Sequence, residues 1–130
     1  MKNVSLLTKV LFHITNILLI ILYLYPGSIL GWLIYGNIQK QPQITSDFIF
    51  SSNHVYAFLI LSLLGLFSYY KKNIKILFLY LFFISIFLEY LHYMIPQRSF
   101  EYKDLFGNFF GVLIVFLLSN IYKFFKKIYD

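Results

Sequence analysis

Four apolar runs, each close to the length of a membrane-spanning helix, occupy most of this sequence. They cover roughly residues 6–25, 53–70, 74–94 and 105–124. A helix needs about 20 predominantly apolar residues to cross a bilayer, and it satisfies its own backbone hydrogen bonds, as lipid requires. We therefore predict an all-α membrane protein with four transmembrane helices, in which residues 1–130 form one domain.

The composition agrees with this interpretation. Hydrophobic residues make up 60 % of the chain and charged residues only 12 %, whereas soluble domains average about 25 % charged residues. The net charge of +6 does not indicate nucleic acid, because the basic residues lie in short blocks between the apolar runs, as in membrane proteins. The chain has no cysteine, which excludes disulfides, thiol nucleophiles and zinc held by cysteine.

The segment between the first and second runs has a different character. Pro26 breaks the first helix, and residues 28–35 form an apolar stretch too short to span a bilayer. This stretch contains Trp32 and Tyr35, aromatic residues of the kind found at headgroup depth. We predict a short interfacial segment here, followed by an exposed polar loop over residues 39–47.

The distribution of basic residues predicts the orientation. Cytoplasmic segments carry an excess of Lys and Arg. With the N-terminus inside, three basic residues fall outside (Lys40, Arg98 and Lys103) and eight fall inside (Lys2, Lys9, Lys71, Lys72, Lys75, Lys123, Lys126 and Lys127). We therefore expect both termini on the cytoplasmic side.

Polar residues inside the runs need an explanation, since an ionisable side chain within a bilayer costs roughly 2.5 kcal/mol or more. In the first helix Lys9, His13 and Asn16 share one face. We expect this face to turn into the bundle, with Lys9 reaching toward the cytoplasm. The alternative is a role for His13 in handling a proton or a ligand.

The densest polar pattern runs from residue 89 to residue 111 and includes His92. Glu89 lies roughly 9 Å below the outer end of the third run, and Asn108 about 6 Å below the outer end of the fourth. Because a short turn joins these runs, their helices must be antiparallel neighbours. The two side chains are therefore predicted to lie at similar depth.

Arg98, the only arginine, lies in that turn and offers a planar fork suited to a carboxylate or phosphate. Asp104 precedes the fourth run and is well placed to cap it. Two interpretations stay open: an ion pair of Arg98 with Glu89 or Asp104 that clasps two helices, or a ligand or catalytic site. Gly107 and Gly111 have the spacing that allows close helix packing in membranes.

This pattern resembles the signature of VanZ-like membrane proteins. In that family a Glu near a helix end is followed by a Pro-x-Arg turn, then by an Asp and an Asn-x-x-Gly that open the next helix. The matching residues are Glu89, Pro96, Arg98, Asp104, Asn108 and Gly111. A weaker match is His54 with the four residues after it, which resembles the family's His-x-x-Ala-Tyr.

The sequence departs from the family pattern at several positions. His92 stands where Gln is usual, and Phe50 and Ser51 stand where an Asp-Lys pair is usual. Phe58 replaces a tyrosine, and Val115 replaces a second glycine. An activity that depends on the missing pair or hydroxyl is not expected here.

The resemblance implies a small helical protein of the bacterial cytoplasmic membrane, linked to glycopeptide resistance or to envelope maintenance. It implies no particular reaction. Our first hypothesis is a non-catalytic protein that binds or shields a cell-wall precursor, a lipid headgroup or a glycopeptide. The residues that would do so are His54, Glu89, His92, Arg98, Asp104 and Asn108.

Two other hypotheses remain. The chain could be a membrane enzyme acting on a lipid-linked or phosphorylated substrate, with Glu89 as general base and His54 or His92 as the second acid or base. It could also be a small subunit of a membrane complex, or a homo-oligomer. A metal held by His54, Glu89, His92 and Asp104 is a variant of the enzyme hypothesis, but on balance we expect neither metal nor cofactor.

Overall fold

The computed structural model describes residues 2–70 and 73–129. Within them, five α-helices and one 3-10 turn, His92–Met94, follow one another along the chain. The α-helices are α1 (Lys2–Leu24), α2 (Ile29–Tyr35), α3 (Ser52–Tyr69), α4 (Ile74–Leu91) and α5 (Tyr102–Tyr129). All except α2 are long and apolar enough to cross a membrane. The predicted fold class is therefore confirmed, and the chain is a multi-pass membrane protein.

Helix α3 occupies the centre of the bundle, where it contacts α1, α4 and α5. Helices α1 and α4 end at the same side of the bundle where α3 and α5 begin. We call this side the loop end, because the long connection between α2 and α3 and the turn between α4 and α5 both lie there. The polar residues singled out in the sequence gather at this end.

Two glycines allow α5 to lie against α3. A Cβ atom on Gly111 would lie 2.6 Å from the carbonyl oxygen of Val55, and one on Gly107 would lie 2.8 Å from that of Ser51. Both distances are shorter than a real side chain tolerates, so the backbones of the two helices are in direct contact. The small-residue spacing thus marks the closest helix pair in the bundle.

The exterior of the spans is apolar, as the composition requires. Large side chains such as Leu79, Phe67 and Ile76 are well exposed, and lipid would cover them. The interior is built from a smaller set of fully buried residues, which includes Leu61, Leu81 and Val112.

Several helix boundaries differ from the sequence prediction: α1 begins at Lys2 instead of residue 6, and α4 ends at Leu91 instead of residue 94. Helix α5 begins at Tyr102 and ends at Tyr129, whereas its apolar run covers only residues 105–124. Hydropathy indicates which part of a helix lies in lipid, whereas the helical hydrogen bonds of the backbone can extend beyond that part. Lys71 and Lys72, which contribute to the predicted inside charge, lie outside the described residues.

The predicted interfacial segment is a helix, and the loop after it folds back over the bundle. Helix α2 is capped by the Ser28 hydroxyl, which accepts from the Gly31 N–H at 2.9 Å. Further along, the side chain of Asn53 accepts from the Ile44 N–H at 3.1 Å and donates to the Pro42 carbonyl at 2.6 Å. These bonds fasten the loop to the start of α3.

Candidate functional site

Side chains from all four spans meet at the loop end and form what we call the polar centre. Its members are Tyr23 of α1, His54 of α3, Glu89 of α4, His92 of the 3-10 turn, and Asp104 and Asn108 of α5. Glu89 and Asn108 are fully buried, with 0 % exposure. Residues far apart in the sequence are thus brought within hydrogen-bond distance of one another.

Asn108 connects its own helix, α5, to each of the other three spans. Its Nδ2 donates to the Ser85 carbonyl of α4 at 3.1 Å. Its Oδ1 accepts from the Tyr23 hydroxyl at 2.6 Å and lies 2.9 Å from Nδ1 of His54. The amide therefore fixes both the tyrosine and the imidazole ring.

Glu89 has one satisfied oxygen and one unsatisfied oxygen. Oε1 accepts from the Glu101 N–H at 3.1 Å and lies 3.1 Å from Nδ1 of His92. Oε2 is buried and has no hydrogen-bond partner among the described residues; it lies 4.0 Å from Nδ1 of His54. A buried polar atom without a partner costs free energy, so its position requires an explanation.

His92 bridges two segments of the chain. Its Nδ1 faces Glu89, and its Nε2 lies 3.1 Å from the backbone carbonyl of Tyr23. Both ring nitrogens therefore face oxygen atoms that can accept a hydrogen bond.

Asp104 does not cap α5 as predicted. The helix begins two residues before it, and the Glu101 carbonyl already accepts from the Leu105 N–H at 3.0 Å. Asp104 therefore lies within the first turn, where a negative charge favours the helix dipole. Its Oδ2 lies 3.5 Å from Nε2 of His54.

Arg98 does not form the predicted clasp with Glu89 or Asp104. Among the described residues its hydrogen bonds go to backbone carbonyls at the end of α1: Nε donates to Tyr25 at 3.2 Å, and an Nη donates to Leu22 at 2.7 Å. The last carbonyls of a helix lack partners within the helix and attract cations. Burial lowers the pKa of Arg98, while the charges of the nearby carboxylates act in the opposite direction.

A cavity of about 380 Å³ adjoins the polar centre. Its walls are formed by α2, the loop after it and the start of α3, with apolar contributions from Ile29, Ala57 and Ile60. Its polar lining residues include Tyr23, His54, His92 and Arg98. The volume lies at the lower end of the range of ligand pockets, about 300–1,000 Å³.

Tyr23 is a member that the sequence analysis missed. It lies seven residues after Asn16 and therefore continues the polar face of the first helix. That spacing could have identified it, but a tyrosine near the end of an apolar run also suits a membrane interface. The hydroxyl of Tyr23 lies 3.0 Å from Nδ1 of His54.

Two other polar residues of α1, His13 and Asn16, contact α3 and α4 far from the polar centre. His13 Nε2 lies 2.9 Å from the Tyr69 hydroxyl, and Asn16 donates to the Tyr80 hydroxyl at 2.5 Å. Along α1, His13 lies about 15 Å from Tyr23. These contacts join α1 to α3 and α4 and form no part of the candidate site.

His54, Glu89 and Asp104 each offer one atom that can bind a metal, and these atoms lie within 4.8 Å of one another. His92 is not part of that group. Comparisons with family models, with curated proteins and with solved structures gave no match. The resemblance to the VanZ-like family therefore stays a prediction carried by the sequence pattern alone.

Proposed function

We propose that this chain is a VanZ-like protein of the bacterial cytoplasmic membrane that binds an anionic amphiphile of the cell envelope without transforming it. Both termini lie in the cytoplasm, and the loop end faces the opposite side, where cell-wall precursors and lipid headgroups are found. The observation that carries the proposal is the cavity of about 380 Å³ beside the polar centre.

The lining of the cavity suits a molecule with an apolar part and a negative head. Its wall is mainly aliphatic, and Arg98 lies at the polar part. A guanidinium has five N–H donors, of which two are used by the carbonyls of α1. The remaining donors can bind a phosphate or a carboxylate.

A lipid headgroup or the head of a lipid-linked precursor fits this volume better than a whole glycopeptide. A protection against glycopeptides would then arise indirectly, through the precursor or the lipid that the protein holds.

Binding can be tested by blocking the cavity. Ala57→Phe adds a large ring to its wall, and Val10→Phe adds the same ring on the exposed face of α1. Native mass spectrometry would compare phosphatidylglycerol, phosphatidylethanolamine and a lipid-linked peptidoglycan precursor. We expect wild type and Val10→Phe to retain an anionic lipid or the precursor, and Ala57→Phe to lose it. Equal retention by all three proteins would contradict the proposal.

A second candidate function is catalysis, which the unpartnered Oε2 of Glu89 favours. A buried carboxylate beside His54 has the position of a general base with a neighbouring acid. Cells that express wild type or Glu89→Gln would be compared for changes in the mass of their lipid-linked precursors. A difference between the two cell populations that persists at equal expression favours catalysis over binding alone.

A further inference from the structure

Three atoms that can bind a metal face one another in the polar centre, and one of them, Oε2 of Glu89, has no hydrogen-bond partner among the described residues. They are Nε2 of His54, Oδ2 of Asp104 and Oε2 of Glu89. The first two lie 3.5 Å apart, and donor atoms from all three residues lie within 4.8 Å of one another.

The tautomer of His54 follows from its neighbours. Asn108 uses its Nδ2 to donate to the Ser85 carbonyl, so its Oδ1 is the atom that faces the ring. Because a carbonyl oxygen only accepts, Nδ1 of His54 must carry the hydrogen. In the neutral ring, Nε2 then presents a lone pair toward Asp104.

Glu89 gives the strongest indication that a cation binds here. Its side chain is fully buried, and Oε2 has no hydrogen-bond partner among the described residues. Because Arg98 bonds to backbone carbonyls instead, no lysine or arginine among the described residues pairs with this carboxylate. A buried charge in that state is strongly unfavourable unless something else compensates it.

We propose that His54, Glu89 and Asp104 form a binding site for a divalent transition-metal ion. One cation would give Oε2 of Glu89 the partner that it lacks among the described residues, and its two positive charges would balance the two carboxylates. This reverses the expectation from the sequence, which could not reveal the unpartnered oxygen. The proposal does not depend on the ligand proposed for the cavity.

The donor set indicates which metals fit. One imidazole nitrogen and two carboxylate oxygens suit Zn²⁺ and Mn²⁺, whereas Ca²⁺ takes about six to eight oxygens. Metal–ligand bonds of about 2.1 Å allow donors up to about 4.2 Å apart. Small side-chain shifts bring the atoms that lie within 4.8 Å into that range.

The surroundings of His54 are those of a metal ligand. A metal-binding imidazole usually donates its other N–H to an oxygen that fixes the tautomer and the orientation of the ring. Asn108 supplies that oxygen at 2.9 Å, and Tyr23 in turn donates to the same oxygen. Asn108 is therefore a positioning residue for the site.

The test is the metal content and metal affinity of the purified protein in detergent. Elemental mass spectrometry would first identify any metal bound to the protein. The metal would then be removed with a chelator, and the protein would be titrated with Zn²⁺, Mn²⁺ and, as a control, Mg²⁺. We expect one equivalent of Zn²⁺ or Mn²⁺ per chain and a rise in melting temperature upon its addition. No ligand of the cavity is needed, so this result is independent of the lipid-binding experiment.

The metal affinity of variants tests which side chains bind the metal. Glu89→Gln and Asp104→Asn should weaken metal binding more than 100-fold, and Asn108→Ala should weaken it about 10- to 100-fold. Glu101→Gln removes an exposed carboxylate at the same end and should leave the affinity unchanged.

Either of two results would overturn the proposal: wild-type protein that binds neither Zn²⁺ nor Mn²⁺, or Asp104→Asn protein with wild-type affinity. The decision rests on Asp104→Asn if Glu89→Gln does not fold, because Asp104 is only partly buried.

Discussion

The substitution Gly111→Ala tests the contact that brings α3 and α5 together. The new Cβ would lie 2.6 Å from the carbonyl oxygen of Val55 and 2.9 Å from the backbone nitrogen of Leu59. Ordinary contact begins at 3.4 Å, and both neighbours are backbone atoms that cannot rotate away. The two helices must therefore separate locally by about 0.8 Å, the difference between 2.6 Å and 3.4 Å.

The expected cost follows from two opposing effects. Overpacking of a well-packed interior costs about 1–3 kcal/mol, and the gain in helix propensity from Gly to Ala returns up to about 1 kcal/mol. We therefore expect Gly111→Ala to lower the free energy of unfolding by up to about 2 kcal/mol. Because Asp104 and Asn108 belong to α5, the same separation should also weaken their contacts with His54.

A matched control is Gly65→Ala on α3. Its Cβ would meet side-chain atoms of Leu77 and Phe12 at 3.0 Å, and side-chain ends can shift. Unfolding by sodium dodecyl sulfate in mixed micelles would compare both variants with wild type, and we expect Gly65→Ala to stay close to it. The reasoning is refuted if Gly111→Ala is as stable as Gly65→Ala.

Three further predictions concern the loop end. Arg98→Lys, which loses the fork that binds two carbonyls of α1, should lower the melting temperature almost as much as Arg98→Gln; a lysine variant that melts like wild type would contradict this. The Ser52 N–H holds the pKa of Asp47 below its usual value of 3.8, so the stability that Asp47 contributes is present above that pH and is lost as the pH falls through the lower folded pKa. Thermal melts from pH 6 to 3 should show a steeper loss for wild type than for Asp47→Asn, and parallel curves would contradict the assignment. Because the chain has no cysteine, Ser99→Cys and Lys126→Cys can be compared with a membrane-impermeant maleimide on intact cells; labelling at 126 rather than 99 would reverse the proposed orientation.

The spans could be predicted from the sequence because their signal is local. An apolar run long enough to cross a bilayer leaves the backbone few alternatives to a helix. The limits of α5 were predicted less well, since residues 102–104 and 125–129 lie beyond the apolar run. The start of α3 shows the same limitation: the Ser52 N–H is capped by Asp47 at 3.0 Å, a residue of the preceding loop.

The composition of the polar centre could be predicted only in part. Glu89 and Asn108 are conspicuous because polar residues in apolar runs are costly. Their partners depend on how distant segments meet. Arg98 bonds to α1 residues that are 73 and 76 positions away in sequence, and no local pattern contains that information.

The position of Arg98 bears on what the polar centre can do. A clasp would have given Glu89 a fixed positive partner, and the site would then have been satisfied in every state of the protein. With the guanidinium bonded to carbonyls at the end of α1, the countercharge available to Glu89 is one that can exchange, such as the metal ion proposed above. An intramembrane carboxylate costs roughly 2.5 kcal/mol or more without compensation, so this countercharge contributes to stability whenever it binds. The loss of the predicted ion pair therefore favours a binding role for the polar centre over a purely structural one.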